Sequence, residues 1–252
     1  MQTREKRGEL DNYCIMSTIF TNLQQKAKGF GVQLDSSQID LFKRHYELLI
    51  EWNTRINLTS ITDPQEVESR HFLESLAIAQ IVPAETLASS RVVDIGSGAG
   101  FPSIPLAISF PDAQVTLIES SNRKTQFLAL LQRSLRLPNL CVITGRAEEL
   151  AHGADLREAF DVVLARAVAK LPSLAELTLP FCRIGGKVVL HKGPDVTDEI
   201  AAAANAIETL GGAAPKSTPV PQLRTTLIAI SKDRVTPENY PRRVGIPAKR
   251  PL

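Results

Sequence analysis

The sequence has little of the residue types on which extracellular, metal-binding and membrane proteins depend. Its three cysteines are far apart and odd in number, which fits a reducing compartment and gives no zinc-ligand spacing. No window of roughly 18 residues is both apolar and uncharged, so we expect no transmembrane helix. The N-terminal residues 1–11 mix basic and acidic side chains, with no apolar run behind them, unlike a secretory signal. We therefore expect a cytoplasmic protein with no metal and no membrane partner.

Positive charge is concentrated at the C-terminal end. The segment from Lys232 to Leu252 carries six lysines and arginines against two acids, whereas the whole chain has a net charge of +2. A basic end on a near-neutral body is typical of proteins that bind a polyanion. A tail that only keeps the protein in solution has the same composition, so charge alone leaves both interpretations open.

A glycine-rich stretch near the middle of the chain carries the strongest local signal. A short apolar run ends at Asp94, and Gly96, Gly98 and Gly100 follow at every second position. The pattern predicts a buried strand and a tight turn whose backbone approaches a ligand, which glycine allows at low cost. The dinucleotide-binding fingerprint needs a glycine where this chain has Phe101. The pattern resembles instead the first motif of S-adenosylmethionine-dependent methyltransferases.

Predicted strands and helices alternate after a helical N-terminal region, as in a mostly parallel sheet covered on both faces. The predicted strands are 91–94, 114–119, 140–144, 161–165, 187–191 and 225–231. The predicted helices are 35–52, 64–69, 72–81, 104–110, 123–135, 171–182 and 197–210. We expect a polar extension (1–16), a helical cap (17–85), an α/β domain (86–235) and an irregular basic tail, rich in proline and arginine and packed on or near the site (236–252).

Chemically useful residues stand at four consecutive strand ends, where ligands bind in such sheets. After the glycine turn, Glu119 ends the second strand, where an acid grips both hydroxyls of a ribose. Gly145–Glu149 follows the third strand and suits an adenine edge, and Arg166 follows the fourth and faces the cofactor. Each also has an ordinary structural role: Glu119 as a cap of the next helix, Glu148 as an acid in the first turn of a helix, Arg166 as a surface charge.

Methyl transfer is a displacement at a sulfonium carbon, so the acceptor atom determines which protein groups are needed. A pyrimidine C5 acceptor needs a cysteine in a Pro-Cys loop, and none of the three cysteines stands in one. Exocyclic amines are typically methylated beside an Asn/Asp-Pro-Pro-aromatic loop, but Ala165–Lys170 follows the fourth strand here. Guanine N7 already presents its lone pair, so no general base is expected. The sequence is consistent with an N7 target and assigns no catalytic residue.

Further stretches, in order along the chain, resemble the bacterial 16S ribosomal RNA guanine-N7 methyltransferase family, RsmG, also called glucose-inhibited division protein B. They are 57–61, 71–76, 93–102, Glu119-Ser120 with Lys124, 145–149, 161–168, 192–193 and 241–252. The resemblance covers about Gln38 to Leu252. It departs from the family pattern at Ser103, which replaces a usual glycine, and at Glu74, which replaces a usual aspartate.

The resemblance implies a Rossmann-like class I methyltransferase fold with a seven-stranded sheet. It also implies methyl transfer from S-adenosyl-L-methionine to N7 of guanosine 527, in the 530 loop of 16S ribosomal RNA. The cofactor-binding residues expected from the resemblance and the glycine motif are Asp94, Gly96, Gly98, Gly100, Phe101, Glu119, Ala147, Glu148 and Arg166. Candidate RNA-binding residues are Arg123, Lys170, Lys192, Arg242, Arg243 and Lys249.

Two other functions remain open from the sequence: methylation of a small molecule, and RNA binding by a non-catalytic assembly factor. No heptad pattern or large exposed apolar stripe is visible, so we expect a monomer. The sequence does not distinguish naked RNA from the small ribosomal subunit or an assembly intermediate as the substrate.

Overall fold

A computed structural model describes residues 20, 22–166 and 169–252. The predicted extension 1–16 lies outside the described residues, as do Ala167 and Val168 from one of the family-like stretches. No helix in the described part of the chain is long and apolar enough to cross a membrane.

Seven strands form a single sheet at the centre of the protein. They are β1 (Arg91–Ile95), β2 (Gln114–Glu119), β3 (Leu140–Thr144), β4 (Phe160–Arg166), β5 (Cys182–Lys192), β6 (Lys216–Val220) and β7 (Thr225–Ser231). Their order is β3-β2-β1-β4-β5-β7-β6. The first five strands run parallel, and β7 is antiparallel to both β5 and β6. The expected mostly parallel seven-stranded sheet is confirmed.

Helices cover both faces of this sheet. Residues 22–28 are helical; the further helices are α1 (Ser36–Asn53), α2 (Pro64–Val67, Glu68–Leu73, Glu74–Leu76 and Ala77–Gln80 in succession), α3 (Ala84–Ala88), α4 (Ser103–Ser109), α5 (Asn122–Ser134), α6 (Ala147–Leu150), α7 (Leu171–Thr178), α8 (Thr197–Thr209) and α9 (Ile246–Lys249). Alternate strand residues point to opposite faces. Val92 therefore packs in one apolar cluster with α1, α4 and α5, and Val93 in a second with α7 and α8.

Helix α1 begins where the sequence predicts because Asp35 caps it. The Asp35 carboxylate accepts a hydrogen bond from the Gln38 N–H at 2.8 Å, and the Gln38 side chain accepts one from the Asp35 N–H at 3.0 Å. The Gln38 amide also donates to the Ile108 carbonyl in α4 at 2.8 Å. The helical cap is thereby fixed to the helix that follows the glycine turn.

Helix α2 replaces the two helices predicted over 64–69 and 72–81. A π-helical segment, Glu68–Leu73, bridges the predicted break and keeps the helix continuous. A π-helical turn contains more residues than an α-helical turn, so this segment rotates the buried face of the helix. The shift buries His71 together with Phe72 and Leu73, and such segments are frequent at functional sites.

The boundary between α7 and β5 also differs from the prediction. The sequence predicts a helix over 171–182, but α7 ends at Thr178 and a short 3-10 turn, Leu179–Phe181, follows. Pro180 cannot continue an α-helix, and Cys182 already pairs with Phe160 in the sheet. Cys182 is fully buried, and burial raises its pKa to about 12.

Strand β6 is absent from the individual strands predicted above. Its sequence contains Pro219 and lies in a passage rich in glycine and proline, which favours a loop. Proline is tolerated here because β6 pairs only with β7 and forms the edge of the sheet.

The tail predicted as irregular is held against the domain and contains the short helix α9. Arg157 donates hydrogen bonds to the carbonyls of Thr236 and Tyr240, each at 2.9 Å. The Ser173 hydroxyl of α7 donates to the Pro247 carbonyl at 2.8 Å. The tail therefore lies on the face of the sheet that α7 covers.

Candidate active site

A cleft of about 580 Å³ opens at the carboxyl ends of the central strands. It lies where the strand order reverses, between β1 and β4, which is where ligands bind in sheets of this kind. Its walls are the loop before α2, α2 itself, the glycine turn, the ends of β4 and β5 and the start of β7. Residues lining it include Thr59, Arg70, His71, Glu74, Gly96, Gly98, Phe101, Lys124, Arg166, His191, Lys192 and Arg224.

The glycine turn has the left-handed backbone that its sequence predicts. The φ angles of Gly96, Gly98 and Gly100 are 75°, 57° and 90°, a region that other residues rarely adopt. Glu119 holds the turn from the neighbouring strand: its Oε2 accepts a hydrogen bond from the Gly98 N–H at 3.0 Å. A Cβ atom on Gly98 would meet only the Gly96 carbonyl, at 3.8 Å, so the space above the turn is open to a ligand.

The carboxylate of Asp94 is fully buried beneath this turn. Neither of its oxygens has a hydrogen-bond partner among the described residues, although the Ser97 and Ser103 hydroxyls lie beside it. Burial raises the pKa of Asp94 to about 7, and these hydroxyls and Arg166 offset only part of the effect. An unpartnered buried carboxylate favours a cationic ligand.

Phe101 lies at the centre of a stack of aromatic rings. The His71 ring is 4.4 Å and the His45 ring 5.0 Å from the Phe101 ring, both nearly parallel to it. The Arg166 guanidinium lies over the same ring at 5.5 Å. Burial lowers the pKa of both histidines to about 3, so both rings are neutral. This stack fixes the end of the glycine turn against α1 and α2.

Arg166 is held at the end of β4 by three groups of α2. Its guanidinium donates to the Arg70 carbonyl at 2.9 Å and contacts Nδ1 of His71 at 2.6 Å. The Glu74 carboxylate lies 3.6 Å away. Burial lowers the pKa of Arg166, and Glu74 and Asp94 counteract that effect. The helical cap therefore orients a cation from the sheet toward the cleft.

The loop 57–61 forms the opposite wall of the cleft and is anchored by Asn53. The Asn53 side chain accepts hydrogen bonds from the N–H groups of Leu58 and Thr59 and donates to the Thr59 carbonyl, at 2.9 to 3.0 Å. Nε2 of His71 lies 2.9 Å from the Thr59 hydroxyl oxygen. This segment, noted in the sequence only for its family-like motif, thus contacts the residue that positions Arg166.

Not every residue predicted for the cofactor faces this cleft. Gly96, Gly98, Phe101 and Arg166 line it, whereas Asp94, Gly100 and Glu119 are buried and are not part of its lining. Ala147 is buried at the start of α6, after β3. Glu148 accepts a hydrogen bond from the Gly245 N–H of the tail at 3.0 Å. The third strand end therefore has a contact to the tail that the sequence does not reveal.

The candidate RNA-binding residues lie in several environments. Lys192 lines the cleft, where it donates to the Ala169 carbonyl at 3.0 Å and pairs with Glu199 at 2.6 Å. Arg242 binds the fully buried Glu176 carboxylate, with Nη2 and Oε2 2.6 Å apart. Arg123, Lys170, Arg243 and Lys249 are exposed.

Sequence reasoning did not single out Arg70 or Arg224 in the cleft. Arg70 lies within the π-helical segment of α2 and lines the cleft. Arg224 lies between β6 and β7 with a φ of 52°, in the left-handed region that side chains rarely occupy. A strained backbone at the mouth of a cleft is typical of functional residues. The sequence predicts neither this backbone conformation nor the β6–β7 hairpin that contains Arg224.

Comparison with known proteins identifies the family of this chain. The sequence profile of GidB, described as rRNA small subunit methyltransferase G, matches residues 38–225. The chain belongs to this family. The Ribosomal RNA small subunit methyltransferase G of Desulforamulus reducens is 42% identical over 241 residues, which cover 94% of this chain and 100% of that protein. The protein of the same name from Roseiflexus castenholzii is 47% identical, over 90% of this chain and 97% of that one.

Comparison with solved structures agrees on the fold. A Methanococcus maripaludis protein described as an S-adenosyl-L-methionine-dependent methyltransferase has a TM-score of 0.50 at 16% identity, covering 67% of this chain and 90% of that chain. A Corynebacterium glutamicum protein also has a TM-score of 0.50, at 15% identity, covering 76% of this chain and 90% of that chain. The class I methyltransferase fold with a helical N-terminal region is confirmed.

Proposed function

We propose that this GidB-family chain transfers a methyl group from S-adenosyl-L-methionine to N7 of guanosine 527, in the 530 loop of 16S ribosomal RNA. The observation that carries the proposal is the buried, unpartnered Asp94 carboxylate beneath an open glycine turn. Family membership supports ribosomal RNA of the small subunit as the substrate. The proposed enzyme is a cytoplasmic monomer that needs neither a metal nor a membrane.

The described residues fit this cofactor. S-adenosyl-L-methionine supplies a methyl group on a sulfonium centre. Asp94 provides the negative charge that a cationic ligand needs in a buried site, and Gly98 leaves room above the turn. Glu119 would bind the ribose, and Ala147 and Glu148 would border the adenine from β3. Phe101 and its stacked histidines keep the turn rigid, so the glycine turn loses little conformational entropy when the cofactor binds.

The acceptor side of the cleft needs no proton transfer. Guanine N7 presents a lone pair, so the protein has only to hold it in line with the methyl group. His71 and His191 have pKa values lowered to about 3 by burial and are poor bases. Their ring nitrogens already contact Arg166, Thr59 and the Glu74 carbonyl. These contacts suit residues that position other groups.

The rim of the cleft is basic, which suits an RNA backbone. Arg70, Lys124, Lys192 and Arg224 surround the opening. Of the exposed candidates, Arg123, Lys170, Arg243 and Lys249 extend the proposed RNA-binding surface. Phosphate contacts from such residues supply affinity, while the target base is splayed out of the loop toward the cofactor.

Radiolabelled S-adenosyl-L-methionine incubated with small subunits from a strain that lacks the modification tests the proposal. Labelled RNA is then mapped by cleavage at N7-methylguanine. Label at one guanine of the 530 loop is expected. A cofactor-binding protein that labels no RNA would contradict the proposal and favour a non-catalytic assembly factor; label on a small molecule would favour a different acceptor.

A further inference from the structure

Two groups lie within hydrogen-bond distance of the Thr59 hydroxyl oxygen in the wall of the cleft. The Ile61 N–H donates to its oxygen at 3.0 Å. Nε2 of His71 lies 2.9 Å from the same oxygen, and either atom of that pair is a possible donor until the protonation of His71 is known. The Asn53 side chain fixes the backbone around Thr59 through three hydrogen bonds. The hydroxyl is therefore held in one place.

The contact with Arg166 settles the protonation of His71. Nη2 of Arg166 and Nδ1 of His71 are 2.6 Å apart, and a guanidinium can only donate. The Arg70 carbonyl also lies 3.1 Å from Nδ1, but it already accepts a hydrogen bond from Nη1 of Arg166 at 2.9 Å. The shorter contact with the guanidinium therefore assigns the lone pair to Nδ1. Burial lowers the pKa of His71 to about 3, so the ring has one proton, which is on Nε2. His71 accepts from Arg166 and donates to Thr59.

Thr59 is consequently left as a donor. A hydroxyl oxygen has two lone pairs, and here the Ile61 N–H and the His71 Nε2–H occupy both. In the ranges 22–166 and 169–252, no acceptor takes the Thr59 hydroxyl proton. Because Thr59 lines the cleft, a ligand is able to supply that acceptor.

The position of Thr59 indicates which ligand group it meets. The cofactor residues Glu119 and Ala147 are on the β2 and β3 side of the point where the strand order reverses. Thr59 is linked through His71 to Arg166, at the end of β4 on the other side. Because the cofactor would occupy the β2 and β3 side, the base that receives the methyl group would lie on the β4 side, next to Thr59.

We propose that the Thr59 hydroxyl donates a hydrogen bond to O6 of the target guanine and so selects guanine over adenine. The inference rests on the proposed function, because it assumes that guanine N7 is the acceptor. Guanine presents the acceptors N7 and O6 on one edge, whereas adenine presents N7 beside an amino donor. A fixed donor opposite an amino group leaves both without a partner, which is how a polar site rejects a close analogue.

The test compares bases that all retain N7. Reconstituted small subunits carry guanine, inosine or 2-aminopurine at position 527; inosine keeps O6 and 2-aminopurine lacks it. Methyl transfer from radiolabelled S-adenosyl-L-methionine gives kcat and KM for each subunit. The enzymes are the wild type, Thr59→Val, Thr59→Ser and Thr62→Val, the last an exposed threonine of the same segment.

We expect the wild type, Thr59→Ser and Thr62→Val to prefer guanine and inosine over 2-aminopurine by about tenfold or more in kcat/KM, the effect of one lost hydrogen bond. Thr59→Val should treat guanine and 2-aminopurine alike within about twofold, because the donor is gone. Thr59→Ser keeps the hydroxyl and loses the methyl group, so it should keep the preference. If the methyl group of Thr59 were what matters, Thr59→Ser would instead lose the preference.

Two outcomes would overturn the inference: a wild type without preference, or a Thr59→Val variant that keeps the full preference. If that variant also loses activity by the same factor on every base, Thr59 only supports the loop. If the wild type labels no guanine-containing subunit, the proposed function itself fails. Cofactor affinity and melting temperature of Thr59→Val, measured in parallel, separate loss of recognition from loss of folding.

Discussion

Oε2 of Glu119 accepts a hydrogen bond from the N–H of Gly98 across two neighbouring strands, at 3.0 Å. The other carboxylate oxygen accepts one from the N–H of Ser121 at 2.8 Å. The acid predicted to bind a ribose therefore also connects the glycine turn to the beginning of α5. Both alternatives weighed from the sequence, a ligand contact and a contact near the next helix, are compatible with this geometry.

We expect Glu119→Gln to weaken cofactor binding by about tenfold to a hundredfold. An amide has only one oxygen, so one of the two N–H groups would face an NH2 donor and lose its partner, at about 1 to 3 kcal/mol. Isothermal titration with S-adenosyl-L-methionine measures the change. Glu85→Gln, at an exposed acid of α3 that does not line the cleft, is the matched control and should bind normally.

Gly98→Val should abolish cofactor binding while the protein remains folded. Its side chain would fill the open space above the turn, and the strain of a left-handed φ would cost about 1 to 2 kcal/mol. Gly100→Ala should instead lower the melting temperature, because its Cβ would lie 2.5 Å from Cγ1 of Ile104. Normal cofactor affinity in folded Gly98→Val would place the site elsewhere.

Cofactor affinity should rise with pH until about pH 7. Only ionised Asp94 attracts a cation. As pH rises toward the raised pKa of about 7, the Kd of the cofactor should therefore fall by up to about tenfold per pH unit, and above that pKa it should stay constant. Asp94→Asn should bind weakly and lose this dependence. A pH-independent Kd in the wild type would show that Asp94 does not titrate with binding.

The same carboxyl group should affect the stability of the cofactor-free protein in the opposite direction. The folded state keeps the Asp94 proton up to about pH 7, whereas an unfolded chain releases it near 3.8. Its contribution to stability is therefore complete at acid pH and is lost as pH rises toward 7. Urea unfolding should show Asp94→Asn gaining stability relative to the wild type over that interval, with no further gain above it.

Arg70→Ala and Arg224→Ala should each reduce the salt dependence of RNA binding by about one phosphate contact. Arg242→Ala should leave that slope unchanged and instead destabilise the protein by about 3 to 5 kcal/mol, since it leaves the buried Glu176 charge unpaired. Filter binding over a salt series and thermal unfolding distinguish the two effects. A reduced slope in folded Arg242→Ala would return Arg242 to the RNA-binding residues.

Local sequence patterns predict those parts of the fold that depend on local physics. Apolar runs identified six of the strands, and the capping residue Asp35 placed the start of α1, because both signals lie within a few neighbouring residues. The glycine turn was visible for the same reason: left-handed backbone at Gly96, Gly98 and Gly100 selects glycine.

The remaining features depend on contacts between distant segments. The pairing of Arg242 with Glu176 joins residues far apart in the sequence, and a tail arginine has the same appearance whether it meets RNA or a buried acid. The chain of contacts from Thr59 through His71 to Arg166 likewise joins the cap to β4. Strand β6 exists because β7 offers a free edge, not because its own residues favour a strand.

The docking of the tail has a consequence for the genetics of this protein. Arg242 neutralises Glu176 in α7, and Gly245 binds Glu148 in α6, beside the predicted adenine site. A premature stop codon ahead of Arg242 would leave a charge stranded in the core and release the support of α6. Truncations that remove Arg242 and the residues after it are therefore expected to behave as null alleles through loss of protein.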